Sequence, residues 1–207
     1  YYLVAAPQVR EELIRKGVEP CRIIVSGIPV RGEFSKPRSE ASPADRQKLL
    51  IMGGGLGLVP KSESFYVELN RLSGVKTTVI TGSNAKLYQA LAGKYENIEV
   101  LAYVENVPDY MKNADLFLSK PGGISIFEAI SVNLPMLIIP PFLQQEKRNG
   151  NFILENQLGS VLPEDPKLWV DAIRDMLGDK ERMSRIKENM AKYKNGLDGT
   201  ALTRLVH

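Results

Sequence analysis

The sequence holds one cysteine and one histidine in 207 residues, Cys21 and the terminal His207. A lone cysteine excludes an intramolecular disulfide and fits a reducing compartment. With its only imidazole at the last position, the chain has no internal histidine to serve as a general base or to build a His-ligated metal site. No Asp-x-Asp occurs, so the commonest carboxylate arrangement for holding a divalent cation on a diphosphate is missing, and no metal or cofactor is expected. No apolar run approaches the ~20 residues needed to span a bilayer. Charge is nearly balanced, with 27 basic and 24 acidic residues for a net +3. That excess is too small to argue for nucleic acid and is compatible with weak attraction to an anionic surface. Internal repeats are absent.

What is present is a chain with 43% hydrophobic residues, which suits one α/β domain with an appendage. It begins directly in a strand-like run, 1–6, and is expected to be part of something longer. Pro7 opens a helix over 8–16, closed by Gly17. A short strand over 22–26 leads into the loop 27–34, with Arg31 at its centre. Residues 35–46 carry Ser, Pro, Lys and Arg without apolar periodicity and read as an interdomain linker. Three parts follow: 1–34 as the end of one domain, 35–46 as the linker, and 47–207 as the main domain.

Strand and helix signals then alternate. Strands are expected over 48–52, 76–81, 98–101, 115–119, 136–139 and 160–162. Helices are expected over 62–72, 85–93, 107–113, 124–132, 149–157, 166–177 and 180–194. Glu105 and Asn106 offer a cap for the helix at 107. Trp169 and Met176, seven apart, have core spacing. This alternation predicts a Rossmann-like parallel sheet with helices on both faces and right-handed crossovers. Ligands should then bind at the carboxyl ends of the strands. The glycine-rich turn 53–57 follows the first strand of the domain, but its spacing is not Gly-x-Gly-x-x-Gly. No carboxylate closes the next strand to take a dinucleotide's ribose, which argues against NAD.

The stretch 114–151 organises the rest. An apolar strand ends at Ser119, Lys120-Pro121-Gly122-Gly123 turns tightly, and a helix opens onto that turn. A helix N-terminus presents unpaired N–H groups at the positive end of the dipole, which suits phosphate. Glu128 lies about one and a half helical turns beyond the glycines. It shares a helix face with Ser125. A carboxylate there could accept both hydroxyls of a ribose whose phosphates rest on the turn. Ser125 and Glu128 could equally be a capping pair. Beyond the second apolar run comes a polar loop holding Gln144, Gln145 and Glu146.

At these residues the chain resembles the C-terminal, donor-binding half of a GT-B glycosyltransferase. The family is that of bacterial and plant diacylglycerol glycosyltransferases and of the N-acetylglucosaminyltransferase that makes lipid II. The motifs are Ser119-Lys-Pro-Gly-Gly-Ile-Ser-Ile-Phe-Glu-Ala129, Asn133-Leu-Pro-Met136, Gln145-Glu146-x-x-Asn149 and Gly27-Ile-Pro-Val-Arg31. The resemblance implies that 1–34 ends an N-terminal acceptor domain and that 47–207 binds a UDP-sugar. It gives Glu128 the ribose hydroxyls. Gly122, Gly123, Ile124 and Ser125 would hold the diphosphate, and the backbone of Val104 the uracil edge. Gln144, Gln145 and Glu146 would contact the sugar hydroxyls, and Arg31 the phosphates. Gly54 and Gly55, in the turn 53–57, would border the reaction centre. Arg31 could instead be an ordinary loop charge, and 144–146 a solvated loop.

The reaction implied is inverting, metal-independent transfer of a hexose to a membrane lipid acceptor of the diacylglycerol type. Its general base would come from the N-terminal domain, so no catalytic residue is expected in this chain and no turnover by it alone. The implied location is cytoplasmic, peripheral on the inner face of the cell membrane. Three alternatives stand beside it: transfer of N-acetylglucosamine to a lipid-linked peptidoglycan precursor, a non-catalytic donor-binding subunit with a membrane partner, and a UDP-sugar 2-epimerase. Two departures from the family are visible. Leu56 stands where relatives usually carry a polar or acidic residue, and the loop after Pro140 lacks the usual Pro-Gly-Gln-Glu-Glu-Gly.

Overall fold

In the computed structural model the chain opens with a small βαβ unit. It consists of β1 (Tyr2–Val4), α1 (Pro7–Arg15) and β2 (Ile23–Val25). The two strands pair in parallel, Tyr2 opposite Ile23. The structure describes residues 1–36, 46–55, 57, 59–198, 200, 201 and 204. Most of the expected linker, and Leu56, therefore lie outside the described residues. The loop after β2 ends in a 3-10 turn, Gly32–Ser35, that buries Phe34.

The main body alternates as its apolar runs predict: β3 (Gln47–Met52), α2 (Glu63–Asn70), β4 (Val75–Ile80), α3 (Ala85–Leu91), β5 (Ile98–Leu101), α4 (Val107–Asn113), β6 (Leu116–Ser119), α5 (Gly123–Ser131), β7 (Met136–Ile138), α6 (Gln144–Glu155), β8 (Gly159–Val161), α7 (Trp169–Gly178) and α8 (Lys180–Asn195). Strands β3 to β8 form one parallel sheet in the order β5-β4-β3-β6-β7-β8, with helices around it. The chain builds outward from β3 to β5, returns to the middle, and builds the other way from β6 to β8. Adjacent crossovers then leave opposite ways at the β3–β6 pair, which opens a crevice at the carboxyl ends of those strands. The central strands are covered on both faces. Leu49, Leu50, Ile51 and the three residues Leu116, Phe117 and Leu118 are each 1% exposed or less. That is why these strands read as continuous apolar runs rather than as alternation.

Helix α6 corrects one expectation. The polar segment 144–146 is not a loop, because α6 begins at Gln144, five residues earlier than anticipated. The Glu146 carboxylate reaches back to the N–H groups of Phe142 and Leu143, at 3.3 and 3.4 Å. It thereby satisfies orphan donors at the helix entry. Gly150, inside the helix, is buried, and a Cβ there would stand 3.4 Å from both Ile138 and Pro141. The glycine lets α6 lie close to the β7 layer.

Smaller corrections concern caps. Asn106 stands at the N-cap of α4 but makes no side-chain cap bond there. The expected 166–177 helix opens as a 3-10 turn, Pro166–Leu168, capped by Asp165, before α7 starts at Trp169. Met176 is buried, and the half-buried Trp169 donates its indole N–H to the Pro163 carbonyl at 2.8 Å. Beyond α8 the chain returns to the first βαβ unit, where Asp198 N–H donates to Val25 O at 3.0 Å. Among the described residues no helix is long and apolar enough to cross a membrane.

Candidate functional site: the crevice at the β3–β6 reversal

The two glycine turns predicted from sequence meet at the crevice. Met52 and Ser119, the last residues of β3 and β6, are register partners, and the Ser119 hydroxyl donates to Met52 O at 2.6 Å. Both following turns therefore leave the sheet side by side. Gly54 and Gly55 stand on one side. A Cβ on Gly55 would meet nothing within 4 Å, and one on Gly54 would come 3.9 Å from Lys120 Cε.

On the other side the turn Lys120–Gly123 opens α5. Gly122 is the N-cap in extended conformation, φ −79. Its carbonyl accepts the first helical bond, from Ile126 N–H at 3.0 Å. The N–H groups of Gly123, Ile124 and Ser125 consequently have no acceptor inside the helix. They point out of the N-terminus at the positive end of the dipole. The two glycines differ in purpose. A Cβ on Gly122 would find only Ser125 Oγ, at 3.9 Å, so its absence leaves open space above the turn. A Cβ on Gly123 would press on Ile28 Cδ1 at 3.2 Å, so that glycine also serves packing.

The capping alternative for Ser125 and Glu128 is not realised. Ser125 is the third helical residue and Glu128 the sixth, and no side chain caps α5. Glu128 is half-buried, and burial pushes its carboxyl above the ordinary carboxylate range; the Arg31 guanidinium partly offsets this. Arg31 is exposed, and its guanidinium has two neighbours. It donates to Glu105 O at 3.1 Å and lies over the Phe34 ring, 5.7 Å from its centroid. This guanidinium ties the loop after β2 to the loop after β5 that carries Val104 and Glu105, and Glu128 on α5 lies within its electrostatic reach. Val104 is half-buried and packs on the core.

The first turn of α6 supplies the far wall. Glu146 faces Lys120, Nζ to Oε1 3.9 Å. Gln144 and Gln145 are exposed, and Gln145 also lines a cleft of about 470 Å³ between α1 and α6. Two residues with no role assigned from sequence belong to this corner. Lys120 lies between the turns, and Asn149 donates its amide to Pro121 O at 2.8 Å, pinning the turn to α6. For Asn149 the signal was available: Glu146 and Asn149 are three apart and share a helix face once 144–155 is read as helix.

Residues 49–195 match the family model described as the glycosyltransferase family 28 C-terminal domain. The processive diacylglycerol beta-glucosyltransferase of Bacillus subtilis (strain 168) is 28% identical over 201 residues, covering 91% of this chain and 52% of that protein. The chain thus spans about half the length of the curated relatives it matches. Among solved structures, MurG of Acinetobacter baumannii superposes with a TM-score of 0.65 at 16% identity, over 95% of this chain and 62% of that one. A UDP-N-acetylglucosamine 2-epimerase gives 0.68 at 14% identity, over 99% and 55%. These two likenesses show the fold, a GT-B C-terminal domain, and carry no chemistry across. The family match covers most of the chain and includes both turns, α5 and α6: this chain belongs to glycosyltransferase family 28, as its C-terminal domain.

Proposed function

We propose that this chain binds a UDP-sugar and forms the donor side of an inverting, metal-independent transfer of a hexose to a membrane lipid hydroxyl of the diacylglycerol type. The observation that carries this reading is the α5 N-terminus opening at the end of β6 beside β3; the half-buried Glu128 on the same helix, within electrostatic reach of Arg31, supports it. The diphosphate rests on the N–H groups of Gly123, Ile124 and Ser125. Glu128, further along the same helix, takes the ribose hydroxyls. Val104, in the loop tied to Arg31, offers its backbone to the uracil edge. Gln144, Gln145 and Glu146 stand where the sugar leaves the diphosphate. As the bond to the anomeric carbon breaks, negative charge grows on the departing UDP, and fixed dipoles and cations stabilise it without reorganising. A helix terminus contributes up to ~2 kcal/mol in a partly buried site, so the N–H groups act together with Arg31. The acceptor's proton needs a base, which this reading assigns to a separate acceptor domain. The diacylglycerol-type acceptor, and with it work at a membrane surface, follows from the name of the B. subtilis relative.

The test is calorimetric titration of the protein with UDP, UDP-glucose, UDP-galactose, UDP-N-acetylglucosamine and ADP. UDP should bind and ADP should bind at least about tenfold more weakly, because a backbone edge that pairs uracil leaves a purine's groups unpaired. The sugar that adds affinity beyond UDP identifies the donor. Equal binding of ADP, or none of UDP, would remove the reading.

A further inference from the structure

Lys120 is the first residue beyond β6, at the point where the chain order reverses. Its side chain lies between the glycine turn at Gly54 and the first turn of α6. We propose that Lys120 is a diphosphate-binding cation that exchanges partners: without donor it holds Glu146, and with donor it turns to the diphosphate and leaves Glu146 free at the mouth of the sugar site. This rests on the donor reading above.

Four features fit an exchange rather than a fixed ion pair. First, the Nζ–Oε1 distance is 3.9 Å, beyond hydrogen-bond reach, so the ammonium donors are not committed to Glu146. Second, the Lys120 side chain is 33% exposed and Glu146 only 18%, so the lysine is the partner with room to move. Third, the backbone beneath it is held. Gly122 N–H donates to Lys120 O at 2.8 Å, and Asn149 grips Pro121 O. Only the flexible stem needs to change. Fourth, Glu146 keeps its place when Lys120 leaves, because its other oxygen, Oε2, holds the N–H groups of Phe142 and Leu143.

The electrostatics give the exchange its direction. A diphosphate on the α5 N-terminus brings two phosphate groups against one carboxylate, and a phosphate is a stronger partner for an ammonium than a single carboxylate at 3.9 Å. Glu146 is then a like charge beside the ligand, and Lys120 is what makes the two compatible. Two opposite effects follow. Removing Lys120 weakens diphosphate binding, whereas neutralising Glu146 removes both a competitor for Lys120 and a repulsion.

The experiment is titration of wild type, Lys120→Met, Lys120→Arg and Glu146→Gln with uridine and with UDP, with a melting curve for each variant. Lys120→Met should lose about tenfold to a hundredfold in UDP affinity while uridine affinity stays within about twofold. Lys120→Arg should recover most of the loss. Glu146→Gln should bind UDP about three- to tenfold more tightly than wild type. Loss of uridine together with UDP in Lys120→Met would mark a structural role and overturn the proposal. Weaker UDP binding in Glu146→Gln would overturn it as well. If the wild type binds UDP and Lys120→Met binds it equally, the exchange alone fails; if the wild type binds neither ligand, the donor reading fails with it.

Discussion

Gly57→Ala is expected to lower the melting temperature by about 10 °C. Gly57 has φ +60, where a Cβ costs about 1–2 kcal/mol. Steric contact costs more. A Cβ there would lie 1.8 Å from Thr81 O, a backbone atom that cannot rotate away. The turns after β3 and β4 are locked together around this point. Ser83 N–H and Ser83 Oγ both donate to Gly55 O, at 3.0 and 2.9 Å, and Asn84 donates its amide to Gly57 O at 3.4 Å. Forcing them apart adds an overpacking cost of about 1–3 kcal/mol. Together these reach about 2–5 kcal/mol, a large share of a typical stability. Gly55→Ala is the control, since a Cβ there meets nothing within 4 Å. Thermal denaturation of both variants checks the contrast. A Gly57→Ala protein that melts with the wild type would show that the two turns do not depend on this contact.

The same glycine cluster shows how far the sequence could be read. That a glycine-rich turn follows the first strand of the main body was visible. That Gly57 faces the turn after β4 rather than a ligand was not, because strand order is a tertiary property. The apolar runs at 48–52 and 115–119 placed β3 and β6 to within a residue, since doubly covered strands have no solvent face to interrupt them. Their adjacency, which makes the crevice, appears only when the chain doubles back after β5. The start of α6 was missed for a local reason. Its first turn is polar and its middle holds Gly150, so the periodicity is weak. The residues that create it, Glu146 at the entry and Gly150 against Ile138, act through contacts rather than through propensity. Arg31 stood out only by resemblance to a family motif. What directs it is the Glu105 carbonyl, 74 positions away in the chain.

Glu128→Gln should separate binding from stability, with opposite signs. In the donor reading a carboxylate accepts both ribose hydroxyls. An amide offers one acceptor oxygen and turns two N–H donors toward hydroxyls, so UDP affinity should fall by about tenfold to a hundredfold. Folding should change the other way. Burial holds the Glu128 carboxyl above its ordinary value of 4.5 in the folded protein, against the pull of Arg31. The folded state therefore binds this proton more tightly than the unfolded state does. The stability associated with it is complete below the ordinary value and is lost as the pH rises through the raised one. At neutral pH the ionised, half-buried carboxylate is a cost that the amide lacks, so Glu128→Gln should melt above the wild type there. The difference should shrink as the pH is lowered below the ordinary carboxylate range, where the glutamate is neutral in both states. Ligand binding adds a matching pH dependence. Uridine, which carries no phosphate to titrate, should bind the wild type progressively less well as acidification protonates Glu128, and should bind Glu128→Gln weakly and with no such slope. The checks are melting curves across this range and titration of uridine followed by NMR. A lower melting temperature for Glu128→Gln at neutral pH, with unchanged UDP affinity, would make Glu128 a packing residue and leave the α5 turn without its ribose partner. A higher melting temperature with weakened binding would show the strain of a site that keeps a partly desolvated charge ready for its ligand.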